Sequence, residues 1–431
     1  MKTGRRKFLK IAGVAGLGVA GLSRAVAALP ESFPPLLPNH PDMSPYLNST
    51  VNNEAVSLIG SYGEWAASLN SADLPSLSFR RKEWSDLAAW KEVARQRFVE
   101  RLAIPDIKAL PAVTVEKSFS FDGLHIENLT WQLPYGNPTK AVLLKPLQAT
   151  GRLPAILALH DHGGVKYFGH EKITRTGDDQ HPLMKTHQEE YYDGFAWANE
   201  MARRGYVVLV PDAFAFASRR VMLKDVPSHL RRGLSEPHNE DNESIQAYNK
   251  WAADHEAIMA KSLFSAGTTW PGVFFAEDRV ALDILCARED VDKNRVGCGG
   301  LSGGGLRTVY MGALEPRIKC TVCVGFMTTW KDLVVDKSFT HTWMIYVPLL
   351  PNELDFPEIM GLHAPLPTLV LNNEQDDLFT LSEMKTSDAI LQDVFRKAGA
   401  GDRYRCSFYP GPHKFDTPMQ KEAFEWFDRW L

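Results

Sequence analysis

The segment Gly300-Leu301-Ser302-Gly303-Gly304 sets a serine between glycines two residues before and two after it. An apolar run, Val296 to Gly300, leads in, and a helical stretch, Leu306 to Leu314, leads out. A G-x-S-x-G run between strand and helix makes a tight turn that exposes the serine hydroxyl, because only small flanking residues let the two elements come so close. The helix starting after Ser302 would aim N–H groups, that of Gly303 first, and its positive end at a developing oxyanion. The alternative is a glycine-rich turn without chemistry, and the presence of partner residues separates the two.

A serine hydroxyl is a poor nucleophile until a base takes its proton. Triads in this strand–turn–helix setting run Ser, acid, His along the chain, and only His341, His363 and His413 lie downstream of Ser302. His413 occupies the loop Tyr409-Pro410-Gly411-Pro412-His413-Lys414-Phe415, after the last strand run and before a closing helix, which is the place for the base. His341 and His363 fall within or beside an insert and are read as packing or pocket residues. The acid should emerge after the penultimate strand, where Glu374, Asp376 and Asp377 are available. Asp376 is preferred as the acceptor of the His413 ring N–H, with Asp377 the runner-up and Glu374 solvating the loop.

A second oxyanion donor is expected from the loop after the run Ala155 to Leu159, which reads His160-Asp161-His162-Gly163-Gly164. Glycine there lets a backbone N–H approach substrate, so Gly164 or Gly163 is assigned that role beside Gly303. The rival reading is a metal site built from His160, Asp161, His162 and His170, but successive strand-end side chains diverge. No metal or other cofactor is called for.

These residues need a frame. Strand-period segments at 113–119, 126–133 and 141–145, separated by turn signals, are followed by apolar runs at 155–159, 206–210, 296–300, 320–325, 368–371 and 404–408 that alternate with helical stretches. That pattern predicts a mostly parallel sheet covered on both faces, with functional residues at the carboxyl ends of its strands. Before it, residues 28–110 read as a helical N-terminal extension in which Leu87, Trp90, Ala94, Phe98 and Leu102 form one stripe. The catalytic domain then covers residues 111–431, with cap-like inserts at 215–270 and 327–362. Trp251, Trp270, Trp330 and Trp343 of those inserts either pack or stack on a sugar.

The N-terminus reads as a targeting segment. Arg5-Arg6-Lys7 precedes a short, weakly apolar stretch, Ile11 to Leu22, and a small-residue cleavage pattern at Ala25-Val26-Ala27. It resembles a twin-arginine signal, which implies the twin-arginine export machinery as a partner and a periplasmic or secreted protein. The stretch is too short to span a bilayer, so no stable membrane span is expected in the mature form. Cleavage after residue 27 would remove six basic and no acidic residues, leaving 42 basic against 52 acidic and a net charge of −10, which argues against nucleic acid as a partner. Five cysteines at scattered positions make no disulfide framework. Cys320 and Cys323 form a CxxC inside a strand run, where residues three apart face opposite sides, so they read as inert core thiols.

Through HDHGG, GLSGGG, EQDDLF and PGPHKF, the chain from about Val113 to Leu431 resembles the dienelactone-hydrolase and acetyl-xylan-esterase-like branch of the α/β-hydrolase superfamily. The resemblance implies an α/β-hydrolase fold with an eight-stranded sheet, a Ser302–His413–Asp376 triad, no metal, and hydrolysis of carboxylic esters through an acyl-enzyme. A small-molecule or carbohydrate ester, such as an acetylated sugar, is the implied substrate. True dienelactone hydrolases carry cysteine where this chain has Ser302, and the oxyanion loop differs from typical acetyl-xylan esterases, so the substrate does not carry over. A prolyl-oligopeptidase-type peptidase shares the triad order, but roughly eighty helical residues are too few for its gating propeller. A non-catalytic binding protein would be expected to lack a triad member.

Overall fold

A computed structural model describes residues 57–69, 73–237 and 240–431, all within the unit Glu54–Leu431. The signal-like segment 1–27 lies outside the described residues. Among the described residues, nine strands form one sheet: β1 Val113–Phe121, β2 Leu124–Trp131, β3 Thr139–Pro146, β4 Leu153–Ala158, β5 Val207–Pro211, β6 Val291–Leu301, β7 Ile318–Val324, β8 Thr368–Asn373 and β9 Tyr404–Tyr409. Their order is β1-β2-β3-β5-β4-β6-β7-β8-β9. The first three and the β3–β5 contact are antiparallel, and every pairing from β5 to β9 is parallel. Continuous apolar runs demand cover on both faces, and β5 and β8 are buried at every residue.

The eight strands implied by resemblance are therefore corrected to nine. The additional strand is β1, which pairs with β2 across a tight Asp122-Gly123 turn with φ positive at both residues. It has no partner on its other side among the described residues, and its side chains are mostly exposed, so it adds little to the core.

Helices fill the two faces. Before the sheet comes α1 (Leu87–Leu102), capped by the Asp86 side chain on the Ala89 N–H at 2.9 Å and ended by Ala103 with φ 49°. It buries Trp90, Ala94, Phe98 and Leu102, a spacing of four that keeps one stripe inward. That stripe shares a core with the sheet: the Phe98 ring meets Tyr310 at 5.3 Å, and Arg95 Nε donates to the Ala313 carbonyl at 2.7 Å. Later helices are α2 Pro182–Tyr192, α3 Trp197–Arg203, α4 Asn242–Ser265, α5 Trp270–Cys286, α6 Gly303–Leu314, α7 Phe356–Gly361, α8 Leu381–Lys397 and α9 Thr417–Trp430. Cys320 and Cys323 are both buried in β7, in core clusters on opposite faces of the sheet, and neither is disulfide-bonded. Among the described residues no helix is long and apolar enough to cross a membrane.

Candidate active site

At the carboxyl end of β6 the chain turns through Ser302, with φ 56° and ψ −118°, and enters α6 at once. A side chain other than glycine in that region is strained by roughly 1–3 kcal/mol, so the surroundings must hold it there. The Ser302 N–H donates to the Val324 carbonyl at 2.8 Å, and its own carbonyl accepts from Leu306 N at 2.9 Å. The flanking glycines answer to one obstacle: a Cβ on Gly300 or Gly304 would lie less than 3.0 Å from the carbonyl oxygen of Leu159, at the end of β4. The helix behind the turn is pinned by a buried bidentate pair, Arg307 to Asp278 of α5, at 2.5 and 2.8 Å.

His413 and Asp376 come together from the loops after β9 and β8. The Nδ1 of His413 lies 2.6 Å from Oδ2 of buried Asp376, whose Oδ1 accepts the Leu378 N–H at 3.0 Å. A carboxylate at Nδ1 calls the ring proton to that nitrogen and leaves Nε2 with a lone pair. That Nε2 is buried and has no hydrogen-bond partner among the described residues. The ring lies against Gly325, where a Cβ would stand 2.8 Å from His413 Cε1. Gly325 directly follows Val324, the residue that accepts the Ser302 N–H, so the imidazole flanks the serine turn. Glu374 and Asp377 are exposed, and the Asp377 carbonyl accepts from Lys337 Nζ at 2.7 Å.

The other downstream histidines are occupied by packing. His363 is in the core with Nδ1 2.8 Å from Thr368 Oγ1, and burial lowers its pKa to about 3. His341 packs edge-on to the Phe326 ring and tilted against Phe379, and burial lowers its pKa to about 4.

The loop after β4 differs from expectation in one respect. The Gly164 N–H is spent on His162 Nδ1 at 3.1 Å, so it is not available to a substrate oxygen. The nearest non-neighbouring atoms to a Cβ built on Gly303 all belong to His162, its backbone N at 3.0 Å. Buried Lys172 explains the aim of that N–H. Its Nζ donates to the carbonyls of Asp161 at 2.9 Å and His162 at 2.8 Å. A trans peptide points its C=O and N–H in opposite directions, so the His162 N–H is turned away from Lys172. Burial lowers the Lys172 pKa to about 8 against the pull of Asp161. The residue types hinted at none of this, because the clamp comes from ten residues downstream.

The side chains considered for a metal are engaged by protein. His160 uses Nδ1 on the Asp161 carbonyl (2.9 Å) and Nε2 on the Ala213 N–H (3.1 Å). Asp161 accepts from Tyr192 Oη at 2.5 Å and His187 Nε2 at 3.2 Å; burial would raise its pKa, but His187 and Lys172 hold it well below the carboxylate range. His162 is bonded at both ring nitrogens. His170, Glu171 and Asp212 do bring possible ligand atoms within 4.8 Å of one another. Yet Asp212 already takes the His170 ring (2.8 Å) and N–H, and the Ser218 N–H and hydroxyl. Burial lowers the His170 pKa, but Glu171 and Asp212 outweigh it and raise it to about 9, so the ring is a cation paired to a carboxylate. The chemistry of that donor set is an ion pair.

Of the four insert tryptophans, Trp251, Trp270 and Trp330 are buried and only Trp343, 39% exposed, offers a face.

No protein-family model matches the chain. YtaP of Bacillus subtilis, which carries the name of a hydrolase, is 26% identical over 309 residues, covering 71% of this chain and 88% of YtaP. Among solved structures, a Bacteroides fragilis protein named for acetyl xylan esterase superposes with TM-score 0.59 at 18% identity, covering 84% of this chain and 85% of its own. A glucuronoyl esterase from Solibacter usitatus gives 0.56 at 15% identity, covering 83% and 98%. With the strand order, the serine turn after β6 and the histidine loop after β9, these likenesses identify the architecture as the α/β-hydrolase fold.

Proposed function

We propose that the chain is a serine carboxylic ester hydrolase acting through an acyl-enzyme, with Ser302 as nucleophile, His413 as base and Asp376 as the acid that orients it. The observation that carries this reading is the His413–Asp376 contact of 2.6 Å, with the Nε2 of His413 buried and unpartnered beside the strained Ser302 turn. Nε2 takes the Ser302 proton as Oγ attacks the ester carbonyl carbon, and Asp376 stabilises the imidazolium. The tetrahedral oxyanion is held by the N–H of Gly303, at the start of α6, and the N–H of His162, which takes the place of the engaged Gly164 N–H in that role. His413 then gives the proton to the departing alkoxide, and the same base activates water to release the acid.

The substrate class we infer is a carbohydrate ester, such as an acetylated sugar. Support comes from the names of the fold neighbours and from the exposed indole of Trp343, a face on which a sugar ring can stack. The N-terminal Arg5-Arg6 pattern supports export through the twin-arginine machinery.

The test is the initial rate of p-nitrophenyl acetate hydrolysis by the chain from residue 28, beside Ser302→Ala and His413→Ala. Turnover by wild type with both variants at background is expected, followed by a panel of acetylated sugars. Retained activity in folded Ser302→Ala ends the assignment.

A further inference from the structure

Four donors converge on a carboxylate that the chemistry above does not use. Glu256 lies in α4, within the first insert, and is buried. Its Oε1 accepts from His162 Nε2 at 2.9 Å and lies 2.7 Å from Lys166 Nζ. Its Oε2 accepts from Thr342 Oγ1 at 2.6 Å and the Trp343 N–H at 3.1 Å. His162 and Lys166 belong to the loop after β4, and Thr342 and Trp343 to the second insert, so three segments distant in sequence meet on one side chain. Burying a carboxylate is costly unless it is paired, and here burial is outweighed by Lys166 and His162, which hold Glu256 well below the usual carboxylate range.

The hydrogen bonds also settle the state of His162. A backbone N–H can only donate, so the nitrogen facing Gly164, Nδ1, carries no proton. The ring is then neutral with its proton on Nε2, where Glu256 receives it. Burial pulls the His162 pKa down, in keeping with a neutral ring. Gly163 and Gly164 stand at φ 51° and 66°, and the bond from the Gly164 N–H to this ring tethers that pair of left-handed residues.

We propose that Glu256 is a positioning residue: it fixes the His162 tautomer, and with it the loop that presents the His162 N–H, and it binds the Trp343-bearing insert to that loop. The inference rests on the reading of His162 as an oxyanion donor. A glutamine at 256 has one acceptor oxygen for donors on two sides, so its amide must face N–H groups on one of them. If His162 accommodates it by moving its proton to Nδ1, the Gly164 N–H loses its acceptor and the loop is released.

The experiment compares wild type, Glu256→Gln and His162→Asn as full chains. Asparagine keeps an acceptor near the Nδ1 position for Gly164 but lacks the Nε2–H that reaches Glu256. Expected for both variants is a fall in kcat on p-nitrophenyl acetate of about 10- to 100-fold with KM within about threefold, as for a displaced donor. Nitrogen-15 NMR of histidine-labelled protein, with His162 identified by its loss in His162→Asn, should show the Nε2–H form in wild type and lose it in Glu256→Gln. Wild-type kcat in folded Glu256→Gln, or a reduced kcat with the Nε2–H form intact, overturns the proposal. Should Glu256→Gln fail to fold, wild-type kcat in His162→Asn overturns it alone. If wild type hydrolyses no ester, the function assigned above falls, and an Nδ1–H tautomer in wild type overturns the Glu256 proposal independently of turnover.

Discussion

Replacing Ser302 by glycine should make the protein more stable while abolishing its activity. The serine sits at φ 56° and ψ −118°, held by its N–H on Val324 O and its carbonyl under Leu306 N. A non-glycine residue there carries about 1–3 kcal/mol of strain. Glycine removes that strain but adds about 0.5–1 kcal/mol of chain entropy to the unfolded state. The net is a gain of up to about 2.5 kcal/mol, or up to about 3 °C in melting temperature for a unit of this size. Alanine is the control, because it loses the hydroxyl yet keeps the Cβ that causes the strain. Differential scanning calorimetry should rank Ser302→Gly above both wild type and Ser302→Ala, with the last two close together. Equal melting temperatures for the glycine and alanine variants would refute the idea that the turn stores strain, whatever the fate of activity.

Asp376→Asn should leave the chain folded but lower kcat by about 10⁴-fold, since the amide cannot hold the Nδ1–H tautomer of His413; kcat within tenfold of wild type would move the acid elsewhere. The raised pKa of His170, about 9 in the folded state, makes its ion pair with Asp212 a source of stability that is complete below about pH 6.5 and lost as pH rises through 9. His170→Gln should therefore destabilise at pH 6 more than at pH 9.5 in chemical denaturation, and an equal loss at both would discount the pairing. Trp90→Ala, in a side chain buried between α1 and the sheet domain, should cost about 3–5 kcal/mol by thermal or urea unfolding, against near-neutral behaviour for an independent helical appendage.

The residues alone specified the frame and the chain order of the proposed serine, acid and base. Strand-period segments and apolar runs with turn signals marked all nine strand positions, although family resemblance implied eight, because each is a local pattern and the edge strand β1 obeys it too. The motif around Ser302 was legible because a tight turn needs glycines at fixed offsets, and the fold shows the Leu159 carbonyl as what forbids a side chain there. Of the three carboxylates after β8, the sequence favoured Asp376 over Asp377 and Glu374 by position alone. Only the fold buries Asp376 against His413 and leaves Glu374 and Asp377 in solvent. Tertiary structure alone also turned the loop after β4, spending the Gly164 N–H on His162 and bringing the His162 nitrogen to Gly303. The physical reason is range. A motif encodes what a few adjacent residues impose on one another, whereas Glu256 reaches His162 across 94 residues and Thr342 across 86, contacts that exist only once the inserts have folded onto the sheet.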